Sequence, residues 1–122
     1  MVKLNDALIM IFILLLSSCA SMTPIEVNNT LPTYTKSIFL TPRQATEKQK
    51  NNMCKLLVKG RTYAAPIGFT LKNDLRNAAK GIDEWVEMDG GNAYVLINYK
   101  WVTVGDDGST QLYVDFDTML CQ

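Results

Sequence analysis

Three cysteines and no histidine set the limits of the chemistry open to this 122-residue chain. Without imidazole, the usual general base and the commonest metal ligand are missing, which lowers the expectation of an enzyme. No Ser-His-Asp, Cys-His or glycine-rich phosphate pattern occurs. Two acidic pairs remain. Asp106-Asp107 lacks the further spaced oxygen ligands of a Ca²⁺ loop and reads as a solvated turn. Asp115 and Asp117 alternate along a strand-like stretch and read as its wet side. The expectation is no catalytic residue, no metal and no cofactor. The chemistry rests with Cys19, Cys54 and Cys121.

Cys19 follows an apolar run and two small residues. Ala7 to Leu16 is ten apolar residues. As a helix they would cover about 15 Å, half of a hydrocarbon core. That length, ended by Ser17 and Ser18, fits a cleaved secretory leader better than a membrane span. Leu16-Ser17-Ser18-Cys19 resembles the lipobox of bacterial lipoproteins. The resemblance implies a leader over residues 1–18 and a diacylglycerol thioether on Cys19. It also implies a fatty acyl group such as palmitate on the new amino terminus. Several acyl chains, each gaining about 0.8 kcal/mol per buried CH₂, make such an anchor effectively permanent. Ala20 rather than Asp after the cysteine implies, by the same resemblance, the outer membrane, with the domain facing the periplasm.

If Cys19 carries lipid, Cys54 and Cys121 are left as a pair in an oxidising compartment. The alternative is two free thiols. Residues 19–37 are rich in Ser, Thr, Asn and Pro and read as the anchor and a flexible tether. Residues 38–122 are then one small domain.

The elements of that domain follow from periodicity. Ser37 to Leu40 is a candidate short strand ended by Thr41-Pro42. Arg43 to Asn52 is polar and reads as a loop or one or two turns of exposed helix. In Met53 to Arg61, Cys54, Leu56 and Val58 alternate with Lys55 and Lys59, a half-buried strand broken by Leu57. Gly60 marks a bulge or the strand's end. Tyr63 to Gly68 reads as a loop. Thr70 caps a helix to about Met88, with an apolar stripe of Leu71, Leu75, Ala78, Ile82 and Trp85. Gly81 within it suggests close packing on a sheet. Ala93 to Val104 and Ser109 to Cys121 are strands joined by a turn at Asp107-Gly108. In the first, Val95, Ile97, Tyr99 and Trp101 share a face opposite Tyr94, Leu96, Asn98 and Lys100. In the second, Leu112, Val114, Phe116, Thr118 and Leu120 share a face. Cys121 falls on the polar parity, unlike Cys54, so a disulfide needs a bulge or an extension past the strand end. The expected fold is α+β: a two-layer sandwich of one main helix on a small, mainly antiparallel sheet, in the order β-α-β-β.

Charge is balanced overall, with Lys plus Arg and Asp plus Glu at 12 each, which does not call for nucleic acid. It is uneven locally. Lys36 to Lys80 holds ten basic residues against two acidic; Gly81 to Gln122 holds one against eight. The plain expectation is that the two halves pair across a shared surface. Asp83, Glu84, Glu87 and Asp89 crowd the C-terminal end of the long helix, against the helix dipole. Lys80 is placed to relieve Glu84, and Lys55, Lys59 or Arg61 to offset the others. The sharper expectation is an acidic docking face at Glu84 and Glu87, with Tyr94 and Tyr113 on the sheet as a second contact patch.

Leu40-Thr41-Pro42, Cys54 in a strand, Leu75-Arg76-Asn77-Ala78-Ala79 on a helix, Gly90-Gly91-Asn92-Ala93-Tyr94 entering a strand and a terminal strand ending in Cys121 together carry a second resemblance. The layout from Phe39 to Cys121 resembles a family of small bacterial lipoproteins related in fold to the Rcs stress-sensor lipoprotein. That sensor has four domain cysteines and a long proline-rich tether; this chain has two and a short one. The family is of unknown function, and the expectation from the whole sequence is a non-enzymatic protein that binds another envelope component. The nearest alternative is an envelope stress sensor or regulator, and a periplasmic enzyme is more distant.

Overall fold

In a computed structural model, residues 22–122 are described. The leader, Cys19 and the first tether residues lie outside them. The order is α1 (Pro24–Tyr34), β1 (Ile38–Leu40), α2 (Pro42–Lys50), β2 (Cys54–Ala64), α3 (Leu71–Met88), β3 (Ala93–Thr103) and β4 (Thr110–Cys121). The strands form one mixed sheet in the order β1-β3-β4-β2, with β1 parallel to β3 and the other pairs antiparallel. The α+β class and the helix on a sheet are as expected. Two helices and one parallel edge strand add to the β-α-β-β outline.

The stripe of α3 packs on the inner sheet face. Leu75, Ala78, Ala79, Ile82 and Val86 are buried against Tyr94, Leu96, Leu112, Val114 and Phe116. Gly81 lets the helix close on β2: a methyl group there would come within 2.0 Å of the Tyr63 ring. Tyr63 itself lies in β2, which runs on to Ala64 rather than stopping near Arg61.

Three bulges decide which residues face this core. The β2–β4 register shifts between Leu56 and Val58 and again between Val58 and Arg61, where Gly60 has φ +77°. The β3–β4 register shifts between Leu96 and Asn98. Strict alternation along β3 therefore fails. Tyr94 and Leu96 face inward before the bulge, and Tyr99 and Trp101 pack inward after it. Val95 lies on the outer face instead, and Ile97 is exposed. Leu120, expected in the core, is also exposed.

The outer face has its own small core at one end. Leu40, Ala45, Cys54, Ala93, Val95 and Met119 cluster beneath α2. That helix is set by a capping box: Thr41 Oγ1 accepts from the Gln44 N–H, and Gln44 Oε1 accepts from the Thr41 N–H at 3.0 Å. Cys54 and Cys121 stand opposite each other across β2 and β4 and are joined by a disulfide. The parity conflict resolves in β2, whose bulge after Leu56 separates the facing of Cys54 from that of the later residues. The polar parity of β4 is dry at this end because α2 covers it. The bond spans 67 residues, for which the chain-entropy model gives about 4 kcal/mol.

The largest departure from expectation is α1. Residues 24–34, read as flexible tether, form a helix. Thr23 caps it and Pro24 occupies its first turn, where a missing N–H costs nothing. Val27 and Leu31, four apart, are buried in the main core beside α3. The Ser, Thr and Asn residues that suggested a tether are mostly its wet side. Truncation distinguishes the two descriptions. Leu31→Ala is expected to lower unfolding stability by about 2–5 kcal/mol in reversible denaturation. A tether residue would leave it unchanged.

Candidate functional site

The acidic C-terminal half of α3 divides into two internal and two external carboxylates. Asp83 accepts from the Lys36 N–H (2.8 Å), the Ser37 N–H (3.0 Å) and the Ser37 hydroxyl (2.7 Å). It therefore satisfies the backbone that leaves α1 and enters β1. Asp89 pairs with Arg61 through both carboxylate oxygens, and Thr118 Oγ1 donates to it at 2.8 Å. Arg61 also lies 4.1 Å from the centroid of the Trp85 ring. The hydrogen bond from Arg61 holds the Asp89 carboxyl below the usual range, and that from Thr118 adds to it. The same hydrogen bond raises the Arg61 pKa. Arg61 was among the residues expected to offset this end.

Glu84 and Glu87 remain on the exposed side of α3. Neither has an ion-pair partner among the described residues, and the expected Lys80–Glu84 pair is not made. Met88, also exposed, follows Glu87. This is the part of the expected docking face that the structure leaves exposed.

The tyrosine patch does not form. Tyr94 is fully buried, donating to or accepting from Thr35 Oγ1 at 3.1 Å, with its ring edge-on to Phe39 and Phe116. Burial pushes its phenol well above the usual range. Tyr113 is half-buried on the opposite sheet face, with Lys100 5.6 Å from its ring centroid. The β3 bulge after Leu96 does not move Tyr94, which precedes it. It instead brings Tyr99 and Trp101 onto the same inner face, so the strict alternation that set Tyr94 opposite them fails. The sheet lies between Tyr113 and α3, so the structure does not bring it together with Glu84 and Glu87.

The remaining acidic pairs have local work. Asp107 accepts from the Ser109 N–H and hydroxyl within the hairpin turn, which lowers its pKa. Asp115 accepts from Thr62 Oγ1, and Asp117 from the Gly60 N–H at the bulge. Asp74 went unnoticed in the sequence. It is 1% exposed and accepts from the Gly68 N–H (2.8 Å), Trp101 Nε1 (3.1 Å) and Thr110 Oγ1 (3.5 Å). It ties the loop before α3 to both hairpin strands. Its one sequence signal is an acid in the first turn of a capped helix. Among the described residues, no three His, Cys, Asp or Glu side chains converge as a metal site would. In comparisons with protein-family models, curated proteins and solved structures, no match to the chain was found.

The Asp89–Arg61 pair has a pH signature. The folded pKa of Asp89 lies below its unfolded value, so its contribution is fully present above about pH 4. It is lost as pH falls through the depressed folded value. Asp89→Asn is expected to be less stable than the parent chain at neutral pH, with the difference shrinking in acid. Denaturation midpoints across that range are the measurement; a difference independent of pH would assign Asp89 a role other than the charge pair.

Proposed function

We propose that the chain is a lipid-anchored protein of the outer membrane that binds another envelope component and carries out no catalysis. The observation that carries this reading is the division of the cysteines. Cys54 and Cys121 are joined to each other, so neither is the partner of Cys19. Cys19 is the cysteine that follows the ten-residue apolar run and Ser17-Ser18. With two thiols in the staple, Cys19 is left for the lipid. None of the helices among the described residues is long and apolar enough to cross a membrane.

For the partner, the exposed Glu84 and Glu87 are the best-supported contact. Both lie on one side of α3, three residues apart, with no internal ion pair to satisfy. A basic protein surface fits them. The burial of Tyr94 removes the sheet patch from this reading, and Tyr113 stands apart from it.

The test uses intact protein from membranes. Mass spectrometry is expected to find residue 19 as the amino terminus, carrying acyl and diacylglycerol mass. An unmodified Cys19 or a retained leader would overturn the anchor. A photo-crosslinker at Lys80, beside the two glutamates, is expected to capture a protein whose adduct disappears on Glu84→Lys/Glu87→Lys reversal. An adduct that survives the reversal would remove the acidic face from the proposal.

A further inference from the structure

Because α1 is part of the domain, the chain between the anchor and the fold is very short. Val27 and Leu31 are buried, Met22 packs against the main core, and the backbone after α1 is held by Asp83. Arg76 lies 5.1 Å from the Tyr34 ring centroid, a further tie to α3. Met22, the first described residue, is thus already part of the fold and lies three residues after Cys19. Three residues span at most about 11 Å. The headgroup zone of one leaflet is itself roughly 5–8 Å deep.

We infer that the first turn of α1 is a membrane-contact surface, seated on the headgroups of a zwitterionic phospholipid bilayer. The inference rests on the lipid-anchored reading above. A thioether and an acylated amine hold the Cys19 backbone where acyl chains meet headgroups. Met22 then lies within the headgroup layer or a few ångströms beyond it, and the turn that follows starts at that surface. Thr23, Pro24, Ile25 and Glu26 are all exposed in the fold. Ile25 is 74% exposed and points away from the side that Val27 buries. It supplies the apolar group, and Thr23 and Glu26 supply polar edges for the headgroup level.

The charge pattern selects the kind of lipid surface. From Ala20 to Thr35 there is no basic residue and one acidic one, Glu26. The first cation is Lys36, beyond the far end of α1. This segment therefore supplies no polybasic attraction to anionic lipid of its own. Contact is enforced by the short covalent connection and aided by Ile25, so it is insensitive to salt.

The experiment uses full-length, lipidated protein reconstituted in phosphatidylcholine vesicles with brominated acyl chains. Ile25→Trp is the reporter. Gln49→Trp, exposed on α2 over the opposite sheet face, is the control, and the emission of the parent protein is subtracted. The emission added by Ile25→Trp is expected to be blue-shifted and quenched, and that added by Gln49→Trp to be neither. Raising the salt or adding phosphatidylglycerol is expected to leave the quenching unchanged. A flexible Gly-Ser insertion between Ser21 and Met22 is expected to abolish it while flotation with vesicles persists. Vesicle-bound protein without quenching at position 25 overturns the contact and leaves the anchor standing. Quenching that survives the insertion overturns the role of chain length. Protein that does not float overturns the anchor, and the contact with it.

Discussion

The packing of α3 on the inner sheet face is the constraint on which the other features depend. It needs a helix able to approach β2 closely, and Gly81 over Tyr63 gives that approach. It also needs both helix ends closed without leaving polar groups stranded. Asp74 closes one end by taking the Gly68 N–H and Trp101 Nε1. Asp89 closes the other by taking Arg61 and Thr118. These two carboxylates lie at opposite ends of the stripe and fix the helix to three different strands. Among the described residues no buried side-chain polar atom lacks a partner. The acidic end that opposes the helix dipole is thus partly an assembly device, because Asp83 and Asp89 form contacts that a basic residue at either position could not form.

The second layer solves a different problem. A sheet of this size has two faces, and α3 with α1 covers one. At the other, α2 and the disulfide close the end where β1, β3, β4 and β2 come together. The long edge strand β2 carries Lys55 and Lys59 and two bulges, features that discourage pairing with another chain. Its end is tied covalently to the central strand β4 through Cys54 and Cys121. A small domain with a modest core gains most from a staple where an edge strand would otherwise fray.

Much of this was legible in the sequence, and the exceptions have specific causes. The stripe of α3, its Thr70 cap and the hairpin turn were readable because each is a local pattern. The cystine was readable once Cys19 was set aside. What failed was facing. A single bulged residue reverses every side chain beyond it, and nothing in Leu96-Ile97-Asn98 announces one. The tether failed for a compositional reason. Val27 and Leu31 are the two buried positions of α1, too few among its polar residues for a clear period, yet enough when α3 is there to receive them. In α2 the Thr41–Gln44 capping box was present in the sequence but was passed over because Pro42 suggested an ending. Pro42 both ends β1 and begins α2. The candidate site divided in the same way. The exposure of Glu84 and Glu87 follows from the helical period, whereas the facing of Tyr94 depends on the β3 bulge, which no local pattern reveals.

The charge asymmetry between the two halves of the domain bears on where function can lie. If the halves had neutralised each other across a shared surface, several cross-pairs would be present. Among the described residues, only Arg61–Asp89 joins them as an ion pair. Most of the basic residues of the first half and Glu84 and Glu87 of the second therefore face water. Such a surface costs little in stability, since exposed pairs contribute little when made. Unpaired surface charges are the kind that add to a protein's long-range field. The interior, by contrast, has its polar groups matched and its aromatic rings packed edge to face. Polar matching is thus a property of the interior, and unpaired charge a property of the surface.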